Sequence, residues 1–163
     1  MVDRLKLMRL LPATMTAIAV IWLVALFAAP TALSQRRFPV ATVLVYEAGS
    51  HICHQRRERS FQWAGVQMPV CGRCLGLYVA GALGAIASLV MGARRSGSLT
   101  ARRALTIAAV PMLLSLALEW TGTAAGSNVS RFLSSLPLGA TLAFVLVNVS
   151  TVSTVSALSG KPG

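Results

Sequence analysis

Charge is what this chain lacks most. Asp and Glu number four, Lys and Arg fifteen, and charged residues make up 12% of the 163, against roughly 25% in a soluble domain. With 55% hydrophobic residues and a mean hydropathy of +0.70, that shortfall excludes an ordinary water-soluble domain. Cysteine and histidine are almost as scarce. There are three and two of them, and all five fall within residues 51–74, so no other part of the chain can bind a soft metal or run thiol chemistry. An odd number of cysteines does not favour a purely structural disulfide framework. Acids are so few that Glu119 is the only one in the second half.

What remains is apolar. Uncharged runs cover 10–35, 75–93, 104–118 and 132–160, and all but the third exceed the roughly 18 apolar residues of a spanning helix. The third reaches that length if it continues past Glu119 to Gly122. The expectation is one all-α membrane domain over 1–163, a four-helix bundle with helices near 10–30, 75–93, 104–123 and 132–153. A surface-proximal Cys/His loop, 31–74, joins the first two helices. The first run follows Arg4, Lys6 and Arg9 as a signal peptide would, and 32–34 passes as a weak cleavage site. A signal core is about 7–15 residues. Residues 10–29 are all uncharged, about 30 Å of helix at about 1.5 Å per residue, so a spanning helix is the better reading.

The formal charge of +11 does not point to nucleic acid, because the basic residues sit between apolar runs. Arginines that flank membrane helices and face anionic lipid explain it more simply. The expected partners are the lipid bilayer, anionic lipid within it, and a second copy or a membrane-complex subunit. Counting Lys and Arg with the N-terminus inside gives eight inside and seven outside, nearly a tie. Short loops carry the positive-inside rule best, and the short loop with Arg94, Arg95, Arg102 and Arg103 is the densest in arginine. The protein is therefore expected in the cell (inner) membrane with both termini on the cytoplasmic side and the Cys/His cluster on the outer face.

Local patterns add detail. Residues 38–46 are too few to span, and Val40, Val43 and Leu44 share a helical face, so a short helix along the membrane surface is expected. In the second membrane helix Gly76, Ala80, Gly84, Ser88 and Gly92 recur every four residues, a narrow face that lets a neighbouring backbone approach closely. Pro111 is a kink candidate in the third helix, with Gly97 as a breaker ahead of it. Residues 122–130 make a small-residue turn, the fourth helix starts near Arg131, and 160–163 ends it.

The chemistry is confined to His51-Ile52-Cys53-His54-Gln55 and Cys71-Gly72-Arg73-Cys74. Two thiolates separated by two residues grip one ion. A Cys-His pair 17 to 18 residues upstream has an ordinary spacing for the other half of a zinc site. The metal-ligand candidates are Cys53, His54, Cys71 and Cys74, with His51 in reserve. Adjacent residues diverge by about 100° on a helix, so Cys53 and His54 must sit at a helix end or in a loop. Two alternatives stand beside metal: redox-active thiols, with Cys71 and Cys74 as the pair and Cys53 as third partner, or packing cysteines. An oxidising outer face favours disulfide chemistry.

Arg59 and Arg73 flank the two halves of the cluster, and arginine beside a thiolate favours both ligation and nucleophilicity. Glu119 ends the third helix on the cluster side. An ionisable group at membrane depth is a functional-site candidate, and its natural partner is Arg131, with Asn128 nearby. Catalytic candidates are thus Glu119, Arg59 and Arg131, and candidate ligand contacts are Arg73 and Asn128.

Taken together, Ile52-Cys53-His54-Gln55, Glu58-Arg59-Ser60-Phe61 and Pro69-Val70-Cys71-Gly72-Arg73-Cys74-Leu75-Gly76-Leu77-Tyr78 resemble the prokaryotic membrane-protein family catalogued as domain of unknown function 2085. The likeness is strong over about 48–81, and Ser127-Asn128, Arg131 and Gly139 resemble fainter family features. Where the family pattern has Asp then Gly in the third helix, this chain has Glu119-Trp120. The resemblance implies a membrane location and an important cluster, and implies no reaction. Three functions remain in view. The first is a structural zinc site clamping the loop to the bundle, beside an Arg/Glu pocket. The second is a membrane thiol-disulfide oxidoreductase working with a quinone, and the third a small transporter or accessory subunit.

Overall fold

In a computed structural model, residues 2–37, 39–92 and 98–159 are described. They form helices α1 (Val2–Ser34), α2 (Pro39–Ile52), α3 (Gly72–Met91), α4 (Ser98–Trp120) and α5 (Asn128–Ser159). A 3-10 turn at Arg57–Arg59 and a hairpin of β1 (Gln62–Trp63) and β2 (Val66–Gln67) lie between α2 and α3. Four segments are long and apolar enough to cross a membrane: Leu10–Ser34, Gly72–Met91, Ser98–Trp120 and Asn128–Thr151. The protein is an all-α membrane bundle with a short α2 and hairpin insert after its first span. The expected arginine turn at Arg94 and Arg95, the breaker Gly97, Phe38 and the 160–163 end lie outside the described residues.

Because spans alternate in direction, the end of α1, the start of α3, the end of α4 and the start of α5 gather at one end of the bundle. Local chemistry fixes these ends. The last turn of α4 closes with Gly122 at φ 71°, Gly122 N donating to Glu119 O at 3.3 Å and Thr123 N to Leu118 O at 3.1 Å. A glycine just past a helix supplies that left-handed position at no steric cost. Ser127 caps α5: its Oγ accepts from Ser130 N at 3.0 Å, so α5 starts at Asn128, ahead of Arg131. Helices pass through Pro12, Pro30, Pro111 and Pro137 without ending, as membrane helices tolerate.

The small-residue face of α3 packs on α5. A Cβ added at Gly84 would overlap the Ala140 backbone, one at Gly76 the Phe132 carbonyl and Ser135 Oγ, and one at Gly139 the Leu77 backbone. Ala80 and Ser88 on the same face are buried. Gly92 is different. It follows α3 as its C-cap at φ 72° with open space around it, so it ends the helix and does not belong to the seam.

The hairpin has no counterpart in the sequence reading, since two-residue strands are too short to show an alternation. Its turn puts Ala64 and Gly65 at φ 51° and 76°, both positive as a two-residue turn of matching twist demands. Trp63 then meets Phe27 of α1 edge-to-face, ring centroids 5.2 Å apart. Nearby lies the buried core: Leu26, Cys53, Met68, Val70 and Leu75, with Trp22, Phe61, Tyr78 and Phe132 packed against it. Elsewhere the helices expose Ile21, Val24, Val90, Ile107 and Leu113, side chains suited to lipid. The core therefore sits at the cluster end.

Candidate metal centre

Two sequence-distant segments meet here, and side-chain ties to the backbone bring them together. Cys53 extends α2 by one residue, its N–H donating to Gly49 O at 2.9 Å. Gln55 then turns the chain at φ 45°, and its Nε2 donates to Tyr46 O at 2.6 Å and Pro69 O at 2.8 Å. Gln67 Nε2 donates back to Gln55 O at 2.6 Å, and the Tyr46 hydroxyl donates to Gln67 O. Gly49 permits this closeness, because an added Cβ would lie 2.8 Å from Gln55 Nε2. The clamp sets Cys53 against the start of α3, where Cys71 is the N-cap.

The sulfurs of Cys53, Cys71 and Cys74 all lie within 4.8 Å of one another. Tetrahedral zinc with bonds of about 2.3 Å holds its sulfurs about 3.8 Å apart, so this closeness suits ligands of one ion. Cys71 N also donates to Cys53 Sγ at 3.1 Å, and Cys53 is 6% exposed. Hydrogen bonds from Cys71 and then Cys74 hold the Cys53 thiol well below the ordinary thiol value, against the upward push of burial. The triad can hold a soft metal ion. His54 is not in this sulfur group; it is exposed and lines the cavity beside it. His51 lies on the open face of α2, its Nδ1 2.8 Å from Glu47 O.

A second triad stands next to the first. Glu119 Oε1 accepts from Arg73 Nη2 at 2.6 Å, and Arg131 Nε donates to Glu119 Oε1 at 3.2 Å and Oε2 at 3.1 Å. These side chains are only 10–11% exposed. The expected Glu119–Arg131 pair is present, and Arg73, expected to serve the thiolates, joins it from α3. Ser115, one helical turn before Glu119 on α4, takes a longer bond from Arg73 Nη2 at 3.4 Å. Arg73 Nε is buried with no hydrogen-bond partner among the described residues. Gly126 lies so close to the Glu119 carboxylate that any side chain there would displace it.

Asn128 links this triad to the loop. Its Oδ1 accepts from Arg131 Nη1 at 3.1 Å, and its Nδ2 donates to Ser60 O at 3.0 Å. Ser60, itself buried, donates through Oγ to Arg56 O at 2.9 Å. Arg59 takes no part in the triad. It lines a cavity of about 410 Å³ with Arg56, Arg73, Arg131, the three cysteines, His54, Ile52 and Leu116. A larger groove of about 680 Å³ along α1, past Leu23, Phe27 and Trp63, has no cysteine, histidine or acid in its lining.

Sequence reasoning missed Gln55, Gly49, Ser60, Gly126 and Ser115. Gln55 was visible as the third residue of the Cys-His-Gln string, and Ser115 as the position one turn from Glu119. The glycines left no signal beyond being glycine.

Residues 53–145 match the family described as "Predicted membrane protein (DUF2085)". The chain belongs to this family. The matched stretch opens on Cys53 and takes in both triads. Similar proteins include an uncharacterized protein of Methanocaldococcus jannaschii, 29% identical over 108 residues, which are 66% of this chain and 69% of the relative. Another, from Methanothermobacter thermautotrophicus, is 33% identical over 95 residues, 57% of this chain and 82% of the relative. No solved structure matches the chain significantly.

Proposed function

We propose that this member of the DUF2085 family is a cell-membrane protein in which Cys53, Cys71 and Cys74 hold a structural zinc ion at the membrane edge. His54 is the fourth ligand in this reading. The ion fastens the segment between α1 and α3 to the bundle, on the outer face, where the exposed Arg56 and Arg57 and the half-exposed Arg59 meet anionic lipid. The supporting observation is the approach of three sulfurs, from positions 53, 71 and 74, to within 4.8 Å of one another. Three thiolates and an imidazole would fill the four positions of zinc, and a filled shell argues for a structural role.

The same closeness also suits thiol exchange, the basis of the second reading, a membrane thiol-disulfide oxidoreductase coupled to a quinone. Elemental analysis and thiol alkylation of purified protein separate the two. The zinc reading predicts one zinc per chain, cysteines that react only after chelation, and loss of zinc in Cys53→Ser. A metal-free protein with an alkylation-resistant Cys71–Cys74 disulfide contradicts it and supports the oxidoreductase.

A further inference from the structure

Beside the sulfurs the cavity is strongly cationic. Arg56, Arg59, Arg73 and Arg131 all line it, with no acid in the lining, and the carboxylate paired with them among the described residues is Glu119, shared between Arg73 and Arg131. Four guanidiniums against one carboxylate leave three positive charges. A divalent ion on three thiolates carries one negative charge, so two positive charges stay uncompensated. Arg73 and Arg131, each only 9% exposed, share the Glu119 carboxylate, so the surplus charge rests on the exposed Arg56 and half-exposed Arg59, where an incoming anion can reach it. Arg73 Nε, buried and without a partner among the described residues, is a further unsatisfied donor.

We infer that this cavity binds a dianionic phosphate group, free or as a monoester. In counting the ion's charge the inference rests on the zinc reading. Such a group carries about −1.5 to −2 at neutral pH and three strong acceptor oxygens, matching both the charge left over and the fork geometry of guanidinium donors. A volume of about 410 Å³ falls within the roughly 300–1,000 Å³ of ligand sites. It leaves room for what the phosphate is attached to. The α3 helix also begins here, its N-cap Cys71 lining the cavity, and helix N-termini favour anions.

The phosphate can belong to a lipid head group or arrive free from water. Ile52 and Leu116 line the cavity and are 55% and 44% exposed. In a membrane bundle such exposed apolar residues border acyl chains, which gives a head group held by the arginines a route for its tail.

The test uses full-length protein in phosphatidylcholine nanodiscs containing phosphatidic acid or phosphatidylglycerol at equal fraction. Native mass spectrometry reads retained lipid, titration calorimetry reads inorganic phosphate, and zinc is measured on every sample. The expected result is selective retention of phosphatidic acid over phosphatidylglycerol, a singly charged diester. Arg56→Gln/Arg59→Gln should weaken it about tenfold or more, the scale of one charge-assisted hydrogen bond, with zinc retained. Inorganic phosphate binding that the double variant weakens, without lipid retention, supports the site and assigns the free ion as its source. Equal retention of both anionic lipids, binding unchanged in the double variant, or no binding of lipid or phosphate overturns the inference. Zinc present with no anion bound defeats this inference alone, and selective phosphatidic acid binding without zinc defeats the metal reading alone.

Discussion

The sulfur triad and the ion triad share one end of the bundle and one cavity, yet they join different parts of the protein. Glu119, Arg73 and Arg131 come from α4, α3 and α5, so their ion pairs tie membrane helices to one another. The cysteines come from the end of α2 and the start of α3, so they tie the insert to the bundle. The ion triad has its own charges to bind it, with Asn128 and Ser115 taking further donors. The sulfur triad brings three soft donors within 4.8 Å of one another. One triad is closed by its own ion pairs, and the other is a donor set that can hold a metal ion.

The difference predicts where damage falls. The largest effect belongs to Glu119→Ala, which leaves two guanidiniums buried without their counter-charge. Breaking one partner of a buried pair costs about 3–5 kcal/mol, and the loss should appear as lower unfolding stability in detergent. The α4 helix should suffer most, because Ala108 is the one residue of it that is buried and Glu119 anchors its end. Glu119→Gln, which keeps hydrogen bonding and loses charge, should cost less. Equal stability of Glu119→Ala and wild type would mean that the ion triad does not hold the helices.

Under the zinc reading, removing the metal should act on the other region. Chelation is expected to speed hydrogen exchange and proteolysis between α2 and α3 while the α3–α5 seam stays protected. Uniform loosening of both would erase the distinction drawn between the triads. The smallest effect is at the hairpin turn, where Ala64 sits at φ 51°. A left-handed residue with a Cβ costs roughly 1–2 kcal/mol, partly offset by the greater chain entropy of glycine, so Ala64→Gly should raise stability slightly. Zinc content should not change with it.

Much of this was legible in the chain. Apolar runs separated by arginines marked the spans, because the bilayer demands long uncharged helices. The Cys-x-x-Cys and the upstream Cys53 marked the sulfur site, because soft-metal ligands come in close pairs, whereas His54 stands outside the sulfur group. Glu119 and Arg131 could be paired across a short turn. Arg73 could not be assigned, since its neighbours in sequence are thiols and its ion-pair partner lies 46 residues away on another helix. Gln55 acts through backbone carbonyls of residues 46 and 69, contacts that no periodicity encodes. Gly92 shared the spacing of the packing face and yet ends the helix, because a four-residue repeat cannot reveal where the helix stops.

Zinc-edge X-ray absorption on the purified protein tests the central claim most directly. The account predicts three sulfur neighbours at about 2.3 Å and one nitrogen at about 2.0–2.1 Å, with a sulfur lost in Cys53→Ser. A shell of two or fewer sulfurs, unchanged by that substitution, would contradict it.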